Sequence, residues 1–298
     1  MQKEIERKSL LVSSSINFII TGAGIWVFSV TKIQSLFLDC FFSLIVFISS
    51  ILAIIISKSS TQKTRSYPDG LHFLEPLYAV LKSVLTLTLL IVSASLVSIT
   101  AYKYFVYGIG EPMNIRPVLP YTISMVVLCF GLSFFTKMQN MKIGNISTIL
   151  TTESKSNFID GLQSLGIGIG IIFLYLIDIN SNLGFLHYTG DFFITMILVI
   201  LSLKVPIKVI ITSFKELSNG TASGNLETDI NNIVHHHLNS ILEYHRCDIF
   251  KVGTYIKVRV FLRDKMNEDL FWKLTQARLL MIKELNVSYE NIEIIFTF

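Results

Sequence analysis

Charge is what this 298-residue chain has least of. Asp, Glu, Lys and Arg make up 15% of it, against about 25% in soluble globular domains. So thin a polar complement cannot cover a water-facing surface of this size, which excludes an ordinary soluble protein. Cysteine is nearly absent as well. Cys40, Cys129 and Cys247 are all there is, two of them inside apolar runs and none at zinc-knuckle spacing, so neither a disulfide framework nor a zinc ribbon is expected. No basic face interleaved with aromatics occurs, and no nucleic-acid partner is expected. Neither a nucleophile–base pair nor a cofactor motif is found, so we expect no enzyme and no prosthetic group. The apolar stretch Leu10–Val30 has no A-x-A-like site after it, and a cleavable signal peptide is not expected.

What the chain does have is hydrocarbon: 51% hydrophobic residues and a mean hydropathy of +0.59. Six runs are long enough for a bilayer of about 30 Å, which takes about 20 residues of helix. They lie near Leu10–Val30, Ser35–Ser57, Leu77–Ile99, Leu119–Phe135, Phe158–Ile177 and Phe192–Ile211, the fourth being the shortest. Pro68, Pro76, Pro112, Pro117 and Pro120 fall in or beside the intervening loops, where proline is least disruptive. Lys and Arg at the span ends number nine on one side (Lys3, Arg7, Lys8, Lys58, Lys63, Arg65, Lys137, Lys142, Lys155) against three on the other (Lys32, Lys103, Arg116). The positive-inside bias then puts both termini in the cytoplasm.

After about Lys215 the texture changes. Leu217–Gly224 reads as a hinge. Glu227–Tyr244 has helical periodicity, Asp248–Leu262 reads as two strands turning at Gly253, Asn267–Glu284 is helical again and Ile292–Phe298 is a strand. We therefore expect a six-span membrane domain over 1–214 and a cytoplasmic α+β domain over 215–298, in the order α-β-β-α-β with both helices on one face of the sheet.

Two acids stand inside apolar runs. Asp39 lies in the second span and Asp160 about one turn into the fifth. A charge at the centre of a membrane helix costs about 2.5–3.5 kcal/mol on insertion scales, and a residue retained at that cost usually marks a pathway. We read the two aspartates as meeting across helices in an ion site; the plainer reading has each one paired with a buried lysine or capping a helix. Glu153, Asn157 and Asp160 share a face that Gln163 and Ser164 extend, which reads as a polar seam against neighbouring helices. Lys82 reads as a snorkelling surface lysine in preference to a partner for Asp39, and Asp69, His72 and Glu75 as a solvated loop in preference to a second metal site. His235, His236 and His237 point about 100° apart on a helix and read as a solvated face. Gly166, Gly168 and Gly170 read as a close-packing surface.

These features acquire a family likeness when their local sequences are set in order. Leu36-Phe-Leu-Asp39-Cys-Phe-Phe-Ser43, then Tyr67-Pro-Asp-Gly70-Leu-His-Phe-Leu-Glu75-Pro76-Leu77, then Ser156-Asn-Phe-Ile-Asp160 running into Gly161-Leu-Gln-Ser-Leu165, then His245-Arg-Cys-Asp-Ile-Phe-Lys-Val-Gly253, together with six spans and an α-β-β-α-β tail, resemble the cation diffusion facilitator family. The resemblance covers nearly the whole chain. It implies a six-helix transmembrane domain with a ferredoxin-like cytoplasmic domain, homodimers in the cell membrane, and exchange of a cytoplasmic divalent metal for protons. The family's site uses two pairs at spacing i, i+4. Here those pairs are Asp39 with Ser43 and Ser156 with Asp160, so the implied metal ligands are Asp39, Ser43, Ser156 and Asp160. An all-oxygen set suits manganese, magnesium or iron(II) better than zinc. Cys40, about 100° round the helix from Asp39, is not recruited. His245 matches a family histidine, but Ile294–Phe298 carries phenylalanines where metal-binding relatives carry His and Asp, so the tail is read as a dimerisation element. The alternative is a non-transporting member of the same fold, a structural or regulatory partner in a heterodimer.

Overall fold

The computed structural model describes residues 2–31, 34–110, 112, 118–178, 180–239, 241, 244–263 and 267–297, with side chains described for all of these but 28, 30–31, 34–42, 118 and 244–245. Six long helices come first: α1 (Gln2–Thr31), α2 (Gln34–Ser59), α3 (Leu74–Tyr107), α4 (Val118–Lys142), α5 (Thr148–Tyr175) and α6 (Leu186–Leu217). Among the described residues, five of them (α1, α3, α4, α5, α6) are long and apolar enough to cross a membrane, while α2 contributes the shorter apolar stretch Ser43–Ser59. The helices pack chiefly as α1 on α2, α3 on α6 and α4 on α5, and α5 touches each of the other five. That central position is why polar side chains on α5 find partners rather than lipid.

The helices outrun the apolar runs that announce them. The fifth starts at Thr148, ten residues before the expected Phe158, so Asp160 lies about three turns inside it rather than one. The reason is local and tertiary together. Ser147 caps the helix by accepting from Leu150 N at 3.0 Å, and the polar first turns are buried: Ser133 and Ser154 each donate to the other's carbonyl, at 2.8 and 2.9 Å, pinning α4 to α5. Pro76 and Pro120 sit in the first turns of α3 and α4 rather than in loops, where the missing N–H has no helical partner to lose. Gly166 and Gly170 of α5 act as expected. A Cβ on Gly166 would stand 2.5 Å from the Leu198 methyls, and one on Gly170 would overlap Ile194, so their absence brings α5 onto α6; a Cβ on Gly168 would only reach ordinary contact with Thr122, so that glycine is not required for the approach.

Beyond α6 come α7 (Asn225–Leu238), β1 (Tyr244–Val252), β2 (Tyr255–Leu262), α8 (Glu268–Leu285) and β3 (Asn291–Thr297), the order read from the sequence. The sheet order is β1-β2-β3, with β2 antiparallel to β1 and parallel to β3. Period-two burial along β2 sends Ile256, Val258, Val260 and Leu262 inward, where they pack with Ile230 and Val234 of α7 and Leu274 and Met281 of α8. Ile146, from the α4–α5 turn, joins that same core. The expected hinge is partly strapped down: Ala222 N donates to Ile249 O at 2.6 Å.

Candidate cation site

Asp160 of α5 and Ser43 of α2 line one small enclosed cavity of about 10 Å³, with Asn17 and Ile20 of α1, Val46 of α2, Met125 and Cys129 of α4, and Gln163 of α5 completing its wall. That is room for a single water-sized particle. Two of the four expected ligands are thus brought together. Ser156 is buried on α5 but is not part of this wall. The side chain of Asp39 lies outside the described residues, as do those of Cys40 and His245; the backbone places Asp39 one turn before Ser43 on α2. Met125 and Cys129 of α4 line the cavity beside the expected oxygen ligands. Asn17 was not singled out by the sequence reading. Its signal was present: Ser13, Asn17 and Thr21 recur every four residues in an apolar run and are all buried, a polar stripe facing helices rather than lipid.

That stripe is tied to α2. Thr21 Oγ1 donates toward Ser43 O at 2.9 Å, and Asn17 Nδ2 donates to Ser50 Oγ at 2.9 Å. Ser50 leads in turn to a buried ion pair. Glu153, 0% exposed, accepts at Oε2 from Ser50 Oγ at 3.2 Å and at Oε1 from Lys82 Nζ at 2.5 Å, with the Tyr78 hydroxyl on the same oxygen. Lys82 is 4% exposed. It therefore does not snorkel: it is held by a carboxylate across the helix interface. Asn157, 1% exposed, has no hydrogen-bond partner for either amide atom among the described residues.

The second group of acids also departs from expectation. His72 and Glu75 are buried, not solvated. Glu75 Oε1 accepts from Lys3 Nζ at 2.7 Å and from Thr254 Oγ1 at 3.0 Å, and Lys3 also holds Glu6 at 2.8 Å. His72 stacks on Tyr255 with ring centroids 5.5 Å apart. Glu216 of α6 accepts from Lys251 Nζ at 2.8 Å and from Gly253 N at 3.0 Å. The β1–β2 turn is thereby docked onto the ends of α1, α3 and α6, and Asp69 lines an adjacent cleft of about 620 Å³ with Lys257 and Arg259. Burial, then the hydrogen bond and charge of Glu293, then the charge of Asp69, push the Tyr255 phenol above its ordinary range, so it stays a neutral donor to Glu293. His235 and His236 are exposed as expected, whereas His237 is half-buried and meets Glu284 at 2.7 Å. Among the described residues no three His, Cys, Asp or Glu side chains converge as a metal cluster.

A family model, the cation efflux transmembrane domain, matches residues 10–218, well over half of the chain and the whole of the region that holds the cavity and the ion pair. The chain belongs to the cation diffusion facilitator family. With its five long apolar helices it is a multi-pass membrane protein carrying a cation efflux domain, and the family's cargo is divalent metal cations. A search of curated proteins returned no match.

Proposed function

We propose that this protein is a divalent metal/proton antiporter, not an enzyme, with six spans over 1–214, a cytoplasmic ferredoxin-like domain over 215–298, and two copies assembled in the cell membrane. The observation that carries the proposal is the small cavity lined by both Asp160 and Ser43, to which α5 and α2 each contribute wall. In the inward-facing state the cation sits between Asp160 and Asp39, with Ser43 as a further oxygen. The helical halves then rock about this fixed site and open it outward. Two nearby carboxylates raise each other's affinity for a proton, so protons displace the metal on the far side. Support for a common side for both termini comes from Lys3 and Gln2, which reach Glu75 and Glu290 at the end of the helices where the C-terminal unit docks, and the Lys and Arg count favours the cytoplasm for that side.

The test is flux in proteoliposomes under an imposed pH gradient, scanning manganese, iron(II), zinc, cobalt and cadmium. We expect gradient-driven uptake of at least one metal, reduced to background in Asp160→Asn and Asp39→Asn. Absence of flux for every metal, with the protein folded, would favour the non-transporting heterodimer partner; full flux in both variants would remove the site.

A further inference from the structure

We propose that Asn17 is a cargo-contacting residue, held by Ser50 and the Lys82–Glu153 pair so that its amide oxygen faces the cavity; this rests on reading that cavity as the cation site. The argument is one of hydrogen-bond polarity. Glu153 and the Val46 carbonyl are both pure acceptors toward Ser50 Oγ, at 3.2 and 2.9 Å. The single hydroxyl proton of Ser50 must serve one or the other, which leaves its lone pairs to receive a proton from elsewhere. They receive it from Asn17 Nδ2 at 2.9 Å, and the same nitrogen reaches Ser13 Oγ at 3.5 Å. The nitrogen end of the amide is thus engaged by Ser50 and Ser13, neither of which lines the cavity, and the carbonyl oxygen is the end left for the cavity that Asn17 lines beside Asp160 and Ser43. Lys82 and the Glu153 carboxylate together carry no net charge, so the anchor does not compete with the cavity for an entering cation. An amide oxygen is a hard ligand of the kind manganese or magnesium favours. Ser50, Glu153 and Lys82 are positioning residues; Asn17 touches the cargo.

Metal titrations on the full-length, metal-stripped protein in nanodiscs, with Mn²⁺ and with Cd²⁺, test this. We expect Asn17→Ala to weaken Mn²⁺ binding by about tenfold or more, with a smaller loss for Cd²⁺, for which the Met125 and Cys129 sulfurs remain. Ser50→Ala should weaken Mn²⁺ binding in the wild-type background and add nothing in the Asn17→Ala background. Asn17→Asp, close to isosteric, should tighten Mn²⁺ binding, and it decides the matter if the alanine variant fails to fold. Equal losses for both metals, unchanged Mn²⁺ binding in Asn17→Ala, or no gain in Asn17→Asp, with binding still abolished in Asp160→Asn, would overturn the role of Asn17 and leave the cation site standing. If wild type binds neither metal, or Asp160→Asn binds normally, the reading of the cavity itself fails.

Discussion

Lys82 and Glu153 come from helices α3 and α5 and meet where neither has water to fall back on. Taking two charges out of water is costly, and their attraction offsets that only while both are present. Lys82→Met alone would strand a carboxylate that is fully enclosed, at a cost of about 3–5 kcal/mol. Lys82→Met combined with Glu153→Leu removes both charges at similar volume. Tyr78 keeps the Ser49 carbonyl at 3.0 Å and Ser50 keeps that of Val46, so the double variant should recover most of the loss. Thermal unfolding of the purified full chain in detergent measures both; a single variant as stable as the double would contradict this account. The pair also marks a limit of reading residues from sequence. Asp160 drew attention as an acid inside one apolar run, and Ser43 through the family likeness, both features local to a single stretch of sequence. Lys82 and Glu153 each had a plausible local explanation, and only the packing of α3 on α5 joins them.

At the scale of elements, hydropathy located the middles of the helices and missed their ends. The reason is plain in α5, where Thr148, Thr152, Glu153, Ser154, Ser156 and Asn157 are all buried. A polar turn reads as loop when the alternative partner is lipid, and as helix when neighbouring helices supply the hydrogen bonds. The α5–α6 contact was legible for the opposite reason: glycines at i and i+4 leave a groove whatever the partner proves to be. It is also the contact most sensitive to added volume. Gly170→Ala drives a methyl into the end of Ile194, a flexible tip that can move, and should cost about 1 kcal/mol; Gly170→Val should approach about 3 kcal/mol. Shortening the opposing side chain in Gly170→Ala with Ile194→Ala should restore part of the stability. Melting temperatures of wild type, Gly170→Ala, Ile194→Ala and the double variant provide the check, and strictly additive losses would mean that the two residues do not share the contact.

For the whole molecule, the C-terminal unit and the membrane helices are not simply tethered through 217–224. They meet in a polar joint that includes Gly253, at the turn between β1 and β2. Its φ of +61° favours glycine, and a Cβ there would lie 2.8 Å from both Glu75 Oε2 and the His72 carbonyl. Gly253→Ala therefore carries two penalties: about 1–2 kcal/mol for a left-handed backbone, and a clash with backbone that cannot swing away. Either the turn or the joint must open. Because the core of the C-terminal unit lies on the other face of β2, at Ile256, Val258 and Val260, the unit should stay folded while its docking weakens. Limited digestion with proteinase K should then cut 217–224 several times faster in Gly253→Ala than in wild type or in Gly22→Ala, where an added Cβ meets nothing within 4 Å. The excised fragment should keep its helix and strand signature. If the joint carries the state of the cytoplasmic side to α1, α3 and α6, flux in the same variant should fall without any change in metal affinity. Unaltered cleavage would show that the joint contributes nothing to holding the unit in place.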